Sequence, residues 1–279
     1  MRKNLSNIGD KVKLEVLVTT MYQKDISKYF DMNLQTDAVI ANQADSENFE
    51  VCDVNGSTVK FVTTPSRGLS KNRNIAISNI GKDTDIIVFA DDDLKFYDDY
   101  EQKIISAFKK TPKAQAIRFN VNCISERKIS MKQIIETHRA TRREVTSWGV
   151  CGLAVKASVI KENSLKFNER FGTGTENYCG EDSIFLQELF KEKVNVYASP
   201  EFIAQIDQTD STWFEGYNEK FFTVAGMIIN EIYPCLSYLL VIRSAYKAAK
   251  RKTSNLKFMQ ILKCYYKGVF KNGKERKTF

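Results

Sequence analysis

Residues 86–97 read IIVFADDDLKFY. Five strand-forming, almost wholly apolar residues run directly into three consecutive aspartates. An apolar run this short, bounded by polar chain, reads as a strand buried on both faces, as in a parallel sheet covered by helices. Three adjacent carboxylates repel one another unless something cancels their charge. A single Asp here would read as the cap of the helix predicted over Tyr97–Lys110, whose dipole favours a negative charge. Three in a row at a strand's end point instead to a divalent cation. Hard oxygen ligands suit Mg²⁺ or Mn²⁺, ions commonly shared between one or two carboxylates and substrate phosphates.

The flanking chain alternates strand and helix. Leu14–Thr19, Ala38–Ala41 and Val59–Val62 read as strands, and Asp25–Asn33 as a helix. SKNRNIAISN (Ser70–Asn79) reads as a helix opened by a serine cap. Further strands are predicted over Ala114–Val121, Val150–Lys156 and Val194–Tyr197, and helices over Ser130–Glu144 and Glu181–Phe190. This order predicts an α/β fold with a mostly parallel sheet flanked by helices. Past about Asp210 the pattern turns helical, aromatic and basic, so residues 1–212 are assigned to the sheet domain and 213–279 to a helical C-terminal region, with the boundary near Trp213.

A chain of 279 residues can bury a sizeable core. Its six cysteines are scattered with no CxxC pair, which reads as reduced thiols and not as a disulfide frame or zinc site. MRKNLSNIGDKVK lacks an apolar signal core, and no run of about 18 uncharged apolar residues suggests a membrane span. The expected setting is cytoplasmic. The net charge of +8 is uneven: residues 243–279 hold 12 Lys and Arg against Glu275 alone, +11, which leaves −3 for the rest. A tail of this kind suits nucleic acid or an anionic lipid surface. In NLKFMQILKCYYKGVF (Asn255–Phe270) the lysines fall largely on one helical side and the apolar residues on another, as for a helix lying on a membrane or capping the body.

In an open α/β sheet, ligands bind beyond the carboxyl ends of the strands, where the aspartates sit. FADDDLKF resembles the DxD motif of glycosyltransferases with the GT-A fold. RGLSKNRNIAISNIGKDTDIIVFADDD (Arg67–Asp93) is similar to the RGxSxARNxG…DxD stretch of family-2 glycosyltransferases, FGTGTENYCGEDSIFLQELF (Phe171–Phe190) resembles their Gly-rich loop, Glu-Asp pair and following helix, and VTTMYQKD resembles their first βα turn. The resemblance spans Leu14 to about Trp213, roughly seven-tenths of the chain.

The resemblance implies an inverting, metal-dependent transferase that moves a sugar from a nucleoside-diphosphate donor, a UDP-sugar, to a saccharide acceptor. That acceptor is expected on a lipid carrier in bacterial surface or capsular polysaccharide assembly, with the enzyme peripheral on the inner face of the membrane. By the same token Asp93 and Asp91 are the metal ligands. Asp91 faces the ribose and Asp92 serves either role. Thr20 and Tyr22 flank the base. Asn42, Gln43 or Asp45 takes the place of the family's acidic residue after the second strand, and Arg67 and Arg73 reach base or phosphates. Asp182 is the general base, and Glu181 orients neighbours or binds acceptor hydroxyls. Trp148 stacks on an acceptor sugar or lies in the core. The late histidine of several GT-A metal sites is missing: His138, the sole histidine, falls too early and reads as solvated, so either Asp207 or Asp210 substitutes or the metal keeps fewer protein ligands and more water. Two rivals stand beside this reading. A nucleotidyltransferase would need a GxGxR loop where VTTMYQKD stands. A non-catalytic nucleic-acid binder accounts for the tail but not for the DDD and GED motifs, so no nucleic-acid partner is expected.

Overall fold

The computed structural model describes residues 12–125, 133–207, 216–252 and 254–276. The boundary at Trp213 and the candidate ligand Asp210 lie outside them. Among the described residues, ten strands form one mixed sheet. In chain order the elements are β1 (Leu14–Met21), α1 (Ser27–Asp31), β2 (Asp37–Gln43), β3 (Asn48–Val54), β4 (Ser57–Thr64), α2 (Leu69–Ser78), β5 (Ile86–Asp91), β6 (Leu94–Phe96), α3 (Tyr100–Lys110), β7 (Ala116–Cys123), β8 (His138–Arg139), β9 (Leu153–Lys156), α4 (Ala157–Glu162), α5 (Glu181–Lys191), β10 (Val196–Ile206), α6 (Glu219–Ile232), α7 (Ser237–Arg251) and α8 (Phe258–Glu275). The spatial order is β3-β4-β2-β1-β5-β9-β7-β10-β6, with β8 on β10.

Strands β4, β2, β1 and β5 run parallel, and this block sets the site. Their side chains are buried on both faces: Val16, Val18, Ile40 and Val88 in one apolar layer, Leu17, Val39, Ile87 and Phe89 in the other. That is why IIVFA carries no polar alternation. The strands beyond β5 pair antiparallel through β9, while β7 and β10 run parallel to each other.

Several local expectations are corrected. The helix predicted from Tyr97 begins at Tyr100, because Leu94–Phe96 pairs with β10 as an edge strand. The triple aspartate is therefore no helix cap. Asp99 holds that place instead. No helix covers the described part of 130–144. His138 and Arg139 pair with β10, and a short 3-10 turn follows at Val145–Ser147. A hairpin strand, β3, joins the sheet edge through the turn at Asn55-Gly56, both with φ in the left-handed region.

The C-terminal helices form a three-helix cap with its own core around Phe222, Val241, Ile261 and Tyr265. The α6–α8 crossing is held by glycines. A Cβ on Gly226 would lie 2.2 Å from the Tyr265 carbonyl oxygen, and one on Gly268 would lie 1.9 Å from that of Thr223. The cap docks on the body through Met227 against Phe171 and Ile184. A polar seam adds to this: Arg170 reaches Glu231 at 2.6 Å, and Asn272 at 2.7 Å.

Candidate active site

The strand ends lie in one row. Thr19 stands opposite Asp91, Thr20 opposite Asn42, and Asn42 opposite Thr63. Thr19 Oγ1 donates to Asp91 Oδ1 at 2.8 Å, and Thr20 Oγ1 donates to Asp92 Oδ2 at 2.5 Å. Two of the three carboxylates are thus fixed by β1. Asp93 reaches solvent and has no cationic partner within ion-pair distance among the described residues. Partial enclosure, then the negative charges of Asp91 and Asp92, pushes its carboxyl up to about 7.

Helix α2 carries the charge that answers these aspartates. Its N-cap is Gly68, at φ 109, and not Ser70. Ser70 instead donates to the Phe171 carbonyl at 2.6 Å, and the Leu69 N–H donates to Thr173 O at 2.9 Å. Gly174 lies so close that a Cβ there would sit 3.2 Å from Gly68 Cα. The RGLS turn and the Gly-rich loop are therefore stitched together, although some 100 residues separate them in the chain.

One turn into α2, Arg73 is 3% exposed and stands between the two acidic motifs. Nη2 lies 3.1 Å from each oxygen of Asp91, and Nη1 lies 2.5 Å from Asp182 Oδ1 and 3.8 Å from Glu181 Oε1. The Phe167 ring lies beneath the guanidinium, 5.1 Å from its centre. Burial alone would weaken the cation, but Asp182 and Asp91 outweigh it and hold its pKa well above the ordinary value. Burial likewise pushes Asp91 up. Arg73, with hydrogen bonds from Cys151 and Thr19, reverses this and leaves its carboxyl below the usual range. The Cys151 thiol donates to Asp91 Oδ2 at 3.1 Å, and burial foremost, then the Asp91 charge, keeps it protonated.

Glu181 and Asp182 open α5, where the helix dipole favours an ionised carboxylate. The chain enters through Gly180 at φ 101, where a Cβ would strike Ile228 of α6 at 2.3 Å. Asp182 Oδ2 accepts the Val150 N–H at 3.3 Å and keeps partial access to water, its side chain 26% exposed. Glu181 is buried. That burial first, and the Asp182 charge next, raises its carboxyl above the usual range. Trp148 packs half-buried on the lower core, one residue before Gly149, whose Cα borders Asp182.

On the other side of the row, Tyr22 (φ 55), Asp45 and Arg67 meet in the open. Arg67 pairs with Asp45, donates to Ala44 O at 3.0 Å, and stands 5.6 Å from the centre of the Tyr22 ring. Asn42 and Gln43 are buried beneath them. Asn42 exchanges hydrogen bonds with the backbone of Gln23 at 3.0 and 2.9 Å, and Gln43 donates to Gly68 O at 3.1 Å. They shape the loops, while Tyr22, Asp45 and Arg67 offer a surface to a ligand. Remote from all of this, His138 pairs with Glu144 at 2.9 Å.

The donor chemistry at the aspartates fits a hard dication, since every candidate ligand is an oxygen. Among the described residues no three His, Cys, Asp or Glu side chains converge as a ready-made metal cage. Both oxygens of Asp91 are engaged by Arg73. Asp93, with Asp92 beside it, is the carboxylate that would hold a cation. Asp207 follows Ile206, the last residue of β10, which pairs with Leu94, the residue after Asp93.

Thr19, Cys151 and the Val150 N–H escaped sequence reasoning. Each is ordinary in its local sequence; Thr19 acquires its place through strand register, and Val150 and Cys151 through the turn that leads into β9. Arg118 also went unnoticed. It is buried under Gly152 with Nε unpartnered, and burial pulls its pKa down to about 10.

Residues 38–174 match the model of glycosyl transferase family 2. The match begins after Thr20 and Tyr22 and ends short of Glu181 and Asp182. No curated protein sequence matches the chain. Among solved structures, S. aureus TarS 1–349 in complex with UDP-GlcNAc shares 15% identity at a TM-score of 0.64, over 92% of this chain and 82% of that one. The same fragment in complex with UDP shares 14% at 0.59, over 88% and 74%. A longer TarS shares 16% at 0.59, over 85% of this chain but only 44% of its own. The strand order and the likeness to TarS agree on a GT-A-like fold that includes the C-terminal helices, and residues 38–174 within it match glycosyl transferase family 2.

Proposed function

We propose that this protein is an inverting glycosyltransferase. It moves a sugar from a UDP-sugar to a saccharide acceptor, borne on a lipid carrier, in polysaccharide assembly at the inner face of the membrane. The observation that carries this is the buried guanidinium of Arg73 joining Asp91 of the DDD motif to Asp182 at the start of α5. One cation shared by the two motifs supports a donor end and an acceptor-side carboxylate in a single site. The choice of uridine draws on the UDP and UDP-GlcNAc bound by TarS.

Each group has a task. The Tyr22 ring and Arg67 hold the base, and Thr20 keeps Asp92 turned to the donor. Asp93 and Asp92 hold Mg²⁺ or Mn²⁺, which when bound neutralises charge on the diphosphate. Asp182 takes the proton of the acceptor hydroxyl through Oδ2, the oxygen that Arg73 leaves open. The acceptor oxygen then attacks the anomeric carbon from the face opposite the diphosphate. The bond between the anomeric carbon and the diphosphate oxygen breaks, the nucleoside diphosphate leaves with the electron pair, and the configuration inverts. Glu181 binds acceptor hydroxyls beneath, and Trp148 borders the acceptor side.

A thermal-shift screen of UDP, GDP, CDP and dTDP sugars with and without Mn²⁺ tests the donor, because a ligand that binds the folded state raises the melting temperature. UDP-sugars with Mn²⁺ are expected to give the largest shift. Asp182→Asn is expected to keep that shift and lose transfer. Normal transfer by that variant would sink the base assignment.

A further inference from the structure

The described residues contain no helix long and apolar enough to cross a membrane, yet the cap shows a face that water does not favour. On α7, Leu239 is 69% exposed, with Ile242 and Tyr246 exposed on the same side at helical spacing. On α8, Met259 is 68% and Phe270 56% exposed, and with Tyr266 they line an open apolar strip. The two helices are joined on this face: the Tyr238 ring lies 5.9 Å from that of Phe270 and 6.2 Å from that of Tyr266, and Tyr266 Oη donates to Tyr238 O at 3.1 Å.

The same helices are strongly cationic. From Ser237 to Lys274 there are ten Lys and Arg and no acidic residue. Arg243, Lys247, Lys250, Lys263 and Lys267 are all exposed. The crowding is felt locally, since the Arg243 guanidinium foremost lowers the pKa of Lys247. Charge and exposed hydrocarbon together narrow the occupant. A second copy would bring ten cations against ten. A nucleic acid would answer the lysines but leave Leu239, Met259 and Phe270 without an apolar partner. A bilayer with anionic headgroups answers both, with lysine heads at the phosphates and hydrocarbon side chains below them.

We propose that the α7–α8 face docks in the plane of an anionic lipid bilayer, with Leu239, Met259 and Phe270 inserted and the surrounding lysines against the headgroups. This gives the lipid-borne acceptor proposed above a physical route to the site, because α6 joins the docked helices to the first turn of α5. The docking itself needs neither donor nor transfer.

Flotation of the full chain with vesicles tests it, using pure phosphatidylcholine and a mixture with about 30% phosphatidylglycerol, at low salt and at about 0.5 M NaCl. The expected result is binding to the anionic vesicles only, weakened by salt. Leu239→Ser with Phe270→Ser, and separately Lys263→Glu with Lys267→Glu, are expected to reduce that binding about tenfold or more while melting and the donor-induced thermal shift stay unchanged. The proposal falls if the parent ignores anionic vesicles, if the variants float as the parent does, or if a short RNA binds as tightly as the vesicles. It also falls if sedimentation shows a dimer that Leu239→Ser with Phe270→Ser dissolves.

Discussion

Replacing Arg73 with methionine keeps most of the side-chain volume and removes the one cation shared by Asp91, Asp182 and Glu181. Taking one partner from a buried ion pair costs about 3–5 kcal/mol, because the remaining charge stays desolvated. Here the Asp91 and Asp182 side chains are 31% and 26% exposed, so water relieves part of that cost and the lower figure, about 3 kcal/mol, applies. For a domain of this size that is a fall of about 6–12 °C in melting temperature. The pH dependence follows from Asp91. Its folded pKa is depressed, so its contribution is present above the ordinary carboxylate value and is lost as pH falls through the lower folded value. Without Arg73 that contribution disappears, and the gap between parent and variant is widest near neutral pH and closes in acid. Calorimetry from about pH 2 to about pH 8 measures it. Adding Asp91→Asn and Asp182→Asn to Arg73→Met is expected to recover much of the loss, since Glu181 alone is then left without the cation and its buried carboxyl already lies above the usual range. A single variant melting within about 2 °C of the parent at pH 7.5 would refute the hub, as would a triple variant that simply accumulates three losses.

Asp93→Asn is expected to raise the melting temperature at pH 8 and leave it unchanged near pH 4. A carboxyl raised to about 7 costs stability once ionised, and a gain at both pH values would contradict the assignment. The same variant is expected to lose the Mn²⁺-dependent part of the donor thermal shift. Gly268→Ala forces a methyl to 1.9 Å from Thr223 O, so a loss of about 1–3 kcal/mol or more is expected, seen as an earlier melt. Gly273→Ala, on the same helix with nothing within 4 Å, is expected to hold or gain about 1 kcal/mol. Equal effects at the two positions would mean that α6 and α8 do not cross as described.

The parallel block was legible because its strands are buried on both faces and each is followed by a helix or a polar loop. The motif positions were legible for the same reason, as they sit at strand ends and helix starts. What stayed hidden depends on contacts distant in sequence. LKF is too short to read as a strand until β10 pairs with it, and ETHRATRRE has helical composition that pairing of His138 and Arg139 with β10 overrides. The β3–β4 hairpin was signalled by Asn55-Gly56, a dipeptide suited to tight turns, and went unread. β10 runs on to Ile206 through Pro200, with register shifts against β7 between Ala198 and Ala204. In the site, the resemblance marks Arg73 as a phosphate or base ligand. That it also spans two carboxylates follows from the stitching of Gly68–Ser70 to Phe171–Gly174, which local sequence does not encode.

Gly180 has a consequence for how the molecule can be divided. Its missing side chain makes room for Ile228, so the helix that begins with Glu181 and Asp182 is braced by a residue contributed after the chain turns helical. A fragment ended near Trp213 would lose that brace and uncover Phe171 and Ile184. The C-terminal helices are therefore not a removable module, and experiments on this protein call for the intact polypeptide.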